Sequence, residues 1–442
     1  MDADPRFLSP GHWDDGDILW YEGDDLWVEG DYHLSATSPC IDDGNFFYAM
    51  QLPGTDADGN ARLAGPQIDM GCYEFGASVD TDGDWLADIA EPEYADDPDR
   101  DNDGIPDGVE LVRNTDPNIP DPPVQWNVPD DVPSIQQALF FSRPGEKIIV
   151  SPGTYYENLF FGGRNVTLTS ADPNDPAVVA ATIVNADTDR NPLTTSGRVI
   201  SLAGIEDKTC RIRGLTITGG NTQGSGGGVG GHASHACISQ CNILANTAGE
   251  SGGGLSECRG LISNCTISGN MAGYDGGGAD SCESISNCTI TGNFAGDEGG
   301  GLAWCYGLIS NCIVWENRQG RTPHFPEQRI YQVHGRSNLI FACIQDGVGV
   351  AGCIDADPRF VTPGYWDAND TPEDANDDSW VDGDYHLKSE GWRWDAPRER
   401  WTYDNTTSPC IDAGDPTYPL GDEPLTAPED PDNTYGQNLR IN

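Results

Sequence analysis

A ten-residue phrase occurs three times in this chain, and the distance between its occurrences constrains the fold more than any other feature. Leu261-Ile-Ser-Asn-Cys-Thr-Ile-Ser-Gly-Asn270 is followed by Ser284-Ile-Ser-Asn-Cys-Thr-Ile-Thr-Gly-Asn293 and by Leu308-Ile-Ser-Asn-Cys-Ile-Val-Trp-Glu-Asn317. Looser versions precede them at Cys237–Asn246 and Arg211–Asn221, and glycine triplets stand between copies at 226–228, 252–254, 276–278 and 299–301. Short Ile/Val/Thr segments broken by Gly and Asn read as strands and turns, with no helical periodicity. A unit of 23 or 24 residues is too small to bury its own apolar face. Stacked on copies of itself, it builds a continuous core in which neighbouring turns hydrogen-bond at ~4.8 Å. The expected fold class is therefore all-β: a right-handed single-stranded parallel β-helix, or solenoid. Equivalent residues should form ladders, with Ile243, Ile267, Ile290 and Ile313 inward and Asn246, Asn270, Asn293 and Asn317 at a turn that suits the left-handed tolerance of Asn.

Composition narrows the partners. Against 72 Asp and Glu the chain has 23 Lys and Arg, a net charge of −49 over 442 residues. Such a surface repels phosphate backbones and anionic lipid heads, so nucleic acid is excluded as a partner and divalent cations are favoured. With 37% hydrophobic residues and 12 Trp the chain is no disordered polyanion, while 55 Gly and 31 Pro fit a turn-rich β protein. No apolar run reaches the ~18–20 residues that direct insertion into a membrane requires.

A second, longer duplication organises the rest. Met1–Leu34 aligns without a gap to Ile354–Leu387, and Ser38-Pro-Cys-Ile-Asp42 returns as Ser408-Pro-Cys-Ile-Asp412. The first copy runs on to Ile68-Asp-Met-Gly-Cys-Tyr-Glu74, whereas the second stops at Ile441-Asn442. This is the layout expected of a piece cut from a tandem array. Four segments follow: 1–76 as the end module of a preceding β-helix, 77–121 as an acidic linker, 122–354 as a β-helix with an N-terminal capping helix, and 355–442 as a second end module. Val132-Pro-Ser-Ile-Gln-Gln-Ala-Leu139 predicts that helix, with Ser134 as its cap.

The helix followed by Lys147-Ile-Ile-Val-Ser-Pro-Gly-Thr-Tyr155 and Val166-Thr-Leu-Thr169 resembles the entry of the pectin lyase-like β-helix superfamily over roughly 126–345. That resemblance implies the fold and leaves function open, because the superfamily includes lyases, hydrolases, esterases and non-catalytic surface proteins. The flanking units resemble the end modules of large bacterial surface β-helix proteins of the choice-of-anchor Q group. This implies an extracellular or cell-surface location.

Between the modules lie two carboxylate loops. Asp80, Asp82, Asp84, Asp88 and Glu91 occupy positions 1, 3, 5, 9 and 12 of one loop, and Asp99, Asp101, Asp103, Asp107 and Glu110 repeat the pattern. Six to eight oxygens around a hard cation require such clustering, with a bidentate Glu at position 12, and Ca2+ is the expected ion. Gly104 supplies the sharp turn at position 6 of the second loop, where the first has Trp85. The pair resembles thrombospondin type 3 repeats, which implies a segment held together by calcium.

Of the 14 cysteines, Cys241, Cys265, Cys288 and Cys312 form one expected ladder of buried thiols, and Cys258, Cys282 and Cys305 another. Cys40 and Cys72 are the better disulfide candidates. On the regular turns the outward acids are Glu250, Glu257, Asp275, Asp280, Asp297 and Glu298, candidates for cation binding or for protonating a glycosidic oxygen. Arg321-Thr-Pro-His-Phe-Pro326 resembles the Arg-x-Pro-x-x-Arg motif of pectate lyases. Pro326 stands in the second Arg position, and Arg329 is three residues too late. His232, His235, His324 and His334 show no metal-ligand spacing. The expected function is a calcium-stabilised surface solenoid, structural or adhesive, whose partners are polysaccharide or other cell-surface proteins. The alternative is a polysaccharide-degrading enzyme acting through 319–350.

Overall fold

The computed structural model describes residues 4–14, 26–41, 55–61, 69–76, 78–80, 100–101, 110, 116–119, 125–186, 197–320, 332–335, 338–346, 352–367, 379–395, 400–411 and 413–414. These fall into two compact units, Met1–Val124 and Gln125–Asn442.

The larger unit is a single-stranded parallel β-helix. Its strands join four parallel sheets of nine, eight, seven and five strands. A regular turn of the chain visits each once: Leu261–Ser263, Thr266–Ser268, Met271–Ala272 and Ala279–Asp280, before Ser284–Ser286 re-enters the first sheet one level on. The in-register pairing of Ile238 with Ile262, Ile262 with Ile285 and Ile285 with Ile309 is the ladder that the repeat demands. These isoleucines are wholly buried, and each contributes ~1.5–3 kcal/mol. The one-residue deficit of the 23-residue step is taken up at a corner: Glu283 alone stands between Cys282 and Ser284, where Arg259-Gly260 separates Cys258 from Leu261.

Four corners per turn are made by single residues with left-handed backbone. In one turn they are Asn264, Gly269, Gly276 and Ser281, with φ of 53°, 60°, 62° and 53°. The next residue points into the core. Cys265 and Cys282 follow two of these corners, and all seven predicted ladder cysteines are buried free thiols. Asn270 follows the second corner, so the asparagine ladder differs from expectation. Its members are buried and follow the left-handed residue (Ala245, Gly269, Gly292 or Glu316) instead of adopting that conformation themselves. Nδ2 of Asn246 donates to Oδ1 of Asn270 at 3.0 Å, Asn270 to Asn293 at 2.9 Å, and Asn293 to Asn317 at 2.8 Å. Each also donates to a backbone carbonyl, that of Ile217, Ile243, Ile267 or Ile290. The column ends on Gln332, whose Oε1 accepts from Asn317 at 2.7 Å. A second correction concerns the apolar ladder. Ile290 pairs with Val314, which is fully buried, while Ile313 pairs with Thr289 and is half-exposed.

The glycine triplets bring backbone against backbone. A Cβ on Gly253 would lie 2.4 Å from the Met271 carbonyl oxygen and 2.5 Å from that of Gly277, so no side chain fits where successive turns touch.

At the first turn, helix α1 (Ile135–Phe141) buries Ile135, Ala138, Leu139 and Phe141. Ser134 caps it as expected, accepting from the Gln137 amide at 3.2 Å, and the Glu157 carboxylate accepts from the amides of Ile135 and Gln136 at 3.0 and 2.8 Å. A short second helix, α2 (Pro176–Ala181), was not anticipated; Asp175 caps it and Pro176 opens it.

The second end module belongs to this same unit and seats on the solenoid wall. Its hairpin Tyr365–Asp367/Ser379–Val381 pairs Trp366 with Trp380. The Trp380 ring covers the bare corners of two successive turns: a Cβ on Gly269 would come within 2.1 Å of it, and one on Gly292 within 2.0 Å. The Trp366 indole N–H donates to the Gly292 carbonyl at 2.9 Å, and the Ser268 hydroxyl donates to Asp382 at 2.9 Å. Cys410 of this module faces Cys343 in the last turn; the neighbouring thiol pushes Cys343 up and holds Cys410 down.

In the smaller unit, Phe7–Ser9 pairs antiparallel with Asp31–Leu34, and His12–Asp14 with Leu26–Val28. Cys40 and Cys72, the better disulfide candidates of the sequence, are free thiols. The Cys40 carbonyl accepts from Met70 and the Cys72 carbonyl from Ala57.

Candidate functional site

Of the ten predicted calcium ligands, Asp80, Asp101 and Glu110 lie among the described residues; Asp82, Asp84, Asp88, Glu91, Asp99, Asp103 and Asp107 lie outside them. Asp80 and Glu110, positions 1 and 12 of the two loops, are buried. Among the described residues no three His, Cys, Asp or Glu side chains gather closely enough to hold a metal ion. Asp56-Ala-Asp58-Gly59, which repeats only the start of the carboxylate spacing, is a turn. The Asp56 carboxylate accepts from the amides of Asp58 at 2.9 Å, Asn60 at 2.8 Å and Glu74 at 3.1 Å. Burial raises its pKa, but the amides of Asn60 and Glu74 outweigh that and hold it below the usual carboxylate range. Asp69 and Glu74 of the Ile-Asp-Met-Gly-Cys-Tyr-Glu motif serve the same loop, accepting from the amides of Phe75 and Asp69. These carboxylates organise backbone.

The acids of the regular turns divide into two kinds. Asp275 and Glu298 stand one above the other just before the glycine triplets, where the Gly276 amide donates to the Glu298 carbonyl. The Asp275 carboxylate accepts from the Glu298 amide at 3.1 Å and from the Trp304 indole at 3.2 Å. Glu298 pairs with His334 Nε2 at 2.8 Å, and the His334 ring meets Trp304 edge to face at 4.8 Å. Trp304 is 37% exposed, Tyr306 62% and Tyr274 55%. Together they form an aromatic and acidic strip along the wall of three successive turns.

Asp280 is the exception, expected outward and in fact buried, with 8% of its surface exposed. It sits in the seven-stranded sheet between Ser256 and Ala303, and Ala303 in turn pairs with His334. Its Oδ1 has no hydrogen-bond partner among the described residues. Burial pushes its pKa up to about 6; Ser281 opposes the shift and the charges of Asp275 and Glu257 add to it.

Trp304 and His334 had not been singled out as site residues. Trp304 occupies a left-handed corner, φ 52°, a position that bulky residues rarely take. That unusual placement was hidden because Trp304 lies between two copies of the phrase, outside the repeated residues. His334 enters the strip only through pairing across residues 321–331. Arg321, His324 and Arg329 lie outside the described residues, as does most of the expected lyase region.

No protein-family model matches the chain, and no curated protein does. Among solved structures it is similar to pectate lyase Pel9A, at 14% identity over 50% of this chain and 56% of that one, with a TM-score of 0.29. It is also similar to the pectin methylesterase from Aspergillus niger, at 14% identity over 53% of this chain and 84% of that one, with a TM-score of 0.27. The chain thus spans little more than half the length of the lyase. The β-helix assignment rests on the strand pairing above, and likenesses this distant assign no activity.

Proposed function

We propose that the protein is an extracellular, calcium-stabilised β-solenoid of a cell surface that binds uncharged glycans along the strip of Tyr274, Asp275, Glu298, Trp304, Tyr306 and His334. The observation that carries this reading is Trp304, an exposed indole fixed by its bond to Asp275 and by His334. A sugar ring has apolar C–H faces and a rim of hydroxyls. Aromatic rings take the former, and carboxylate and imidazole groups exchange hydrogen bonds with the latter. Turns spaced at ~4.8 Å set these groups along a line that a linear glycan can follow. The net charge of −49 disfavours uronic-acid polymers. Calcium enters at 77–121, where the ligand spacing and the burial of Asp80 and Glu110 support it.

Affinity electrophoresis of the full chain through gels containing neutral or uronate polysaccharides tests the proposal. A neutral glycan should retard the protein, and Trp304→Ala should weaken retention about tenfold, ~1.4 kcal/mol, with thermal unfolding unchanged. Absence of retardation across the panel, or retention indifferent to Trp304→Ala, would refute it.

A further inference from the structure

The two copies of the end module fold alike in their described parts. Phe7 opposes Leu34 and Ser9 opposes Asp31, as Phe360 opposes Leu387 and Thr362 opposes Asp384. Arg6 and Arg359 share a left-handed backbone, φ 52° and 54°, and donate to the carbonyls of Thr37 and Thr407. Phe7 meets Tyr32 edge to face at 5.5 Å, and Phe360 meets Tyr385 at 5.2 Å. Gly30 and Gly383 make the same close approach, each to the strand carrying Gly11 or Gly364.

The hairpin that seats the second copy on the solenoid is also present in the first. Trp13 pairs with Trp27 in the register of Trp366 with Trp380, and Tyr32 stands where the second copy has Tyr385. Glu29 replaces Asp382 and keeps a carboxylate. The seat itself is selective. It requires two successive corners without side chains, and the column offers them at Gly269 and Gly292, with Ala245 before and Glu316 after. A hydroxyl next to the first corner, Ser268, bonds the module's carboxylate.

We infer that the first copy is a β-helix-docking module, and that its occupant is the Gly269–Gly292 seat on a second copy of this chain. In each chain the second module holds that seat at the high effective concentration of an intramolecular contact. The first module of another molecule competes for it with the same chemistry. The resulting contact is head-to-tail, and such a contact closes into a ring or propagates into an open assembly.

The test is sedimentation velocity on the full chain at rising concentration. Trp366→Ala with Trp380→Ala frees the seat, and this variant should associate at micromolar concentrations where the unmodified chain is mainly monomeric. Adding Trp13→Ala and Trp27→Ala should reduce that association more than tenfold. Asp382→Ala keeps both indoles of the second module and should give the same shift at higher concentration, which covers misfolding of the double variant. Monomers throughout would overturn the inference, as would association that survives loss of Trp13 and Trp27.

Discussion

The solenoid and the acidic stretch before it meet the same requirement by opposite means. Both carry polar groups that need partners. In the solenoid every buried amide of the asparagine column finds partners one turn away, so the stack is satisfied from within. Residues 80–121 carry 15 carboxylates against two Arg, and on the proposed reading bound calcium compensates them. On that reading, periodicity removes the need for a ligand, and its absence creates one.

The hardest blow to this contrast is a charge placed inside the stack. Ile290→Asp should remove at least ~4 kcal/mol, because an unpaired carboxylate there has no water and no counter-charge. Loss of the cooperative unfolding transition by circular dichroism is the expected result. Near-normal melting would mean that the core is wet. Asn293→Ala should be next, at ~2–4 kcal/mol, since it strands both the side-chain and the backbone N–H of Asn270, which donate to Oδ1 of Asn293. A loss below 1 kcal/mol would show that the amide column adds little.

Calcium sharpens the comparison from the other side. Calorimetry should find about two or more ions per chain, consistent with two loops. At 100 times Kd each ion adds ~2.7 kcal/mol to the unit containing 77–121. Chelation should lower the melting of that unit and leave the solenoid transition in place; a common drop in both would break the distinction.

The smallest expected effect concerns Asp280. Its pKa is raised from 3.8 to about 6, so the fold favours the protonated acid. That contribution is complete below about pH 4 and is lost as pH rises through 6. Asp280→Asn should therefore stabilise the protein by ~1–2 kcal/mol at pH 7.5 and leave it unchanged at pH 4. Equal effects at both pH values would contradict the burial account.

Repetition decided what was legible in the sequence. The strand ladders, the two cysteine columns and the capping helix at Ser134 follow from local spacing, and a stack turns local spacing directly into contact. The left-handed role given to Asn246, Asn270, Asn293 and Asn317 belongs instead to the residue before each. Sequence spacing marks a corner without saying which of two adjacent residues turns and which is buried. Ile313 and Val314 raise the same ambiguity, since two neighbouring β-branched residues can each fill an inward position. The strip of Trp304 and His334, and the seat of Trp380 on Gly269 and Gly292, join segments with no shared period. Only the folded chain brings them together.

The asparagine column has a direction. Each side chain gives its proton to the following turn, from Asn246 through Asn317, and Gln332 passes the chain on towards Gln345. The amides are thus aligned head to tail, and the stack is a vector with distinct acceptor and donor ends. At the first end the Gly220 amide meets the acceptor. At the other, wherever the last asparagine falls, one donor is left over. A solenoid of this kind can be lengthened by further turns, but its last asparagine always needs an acceptor beyond it, the part that Gln332 plays here.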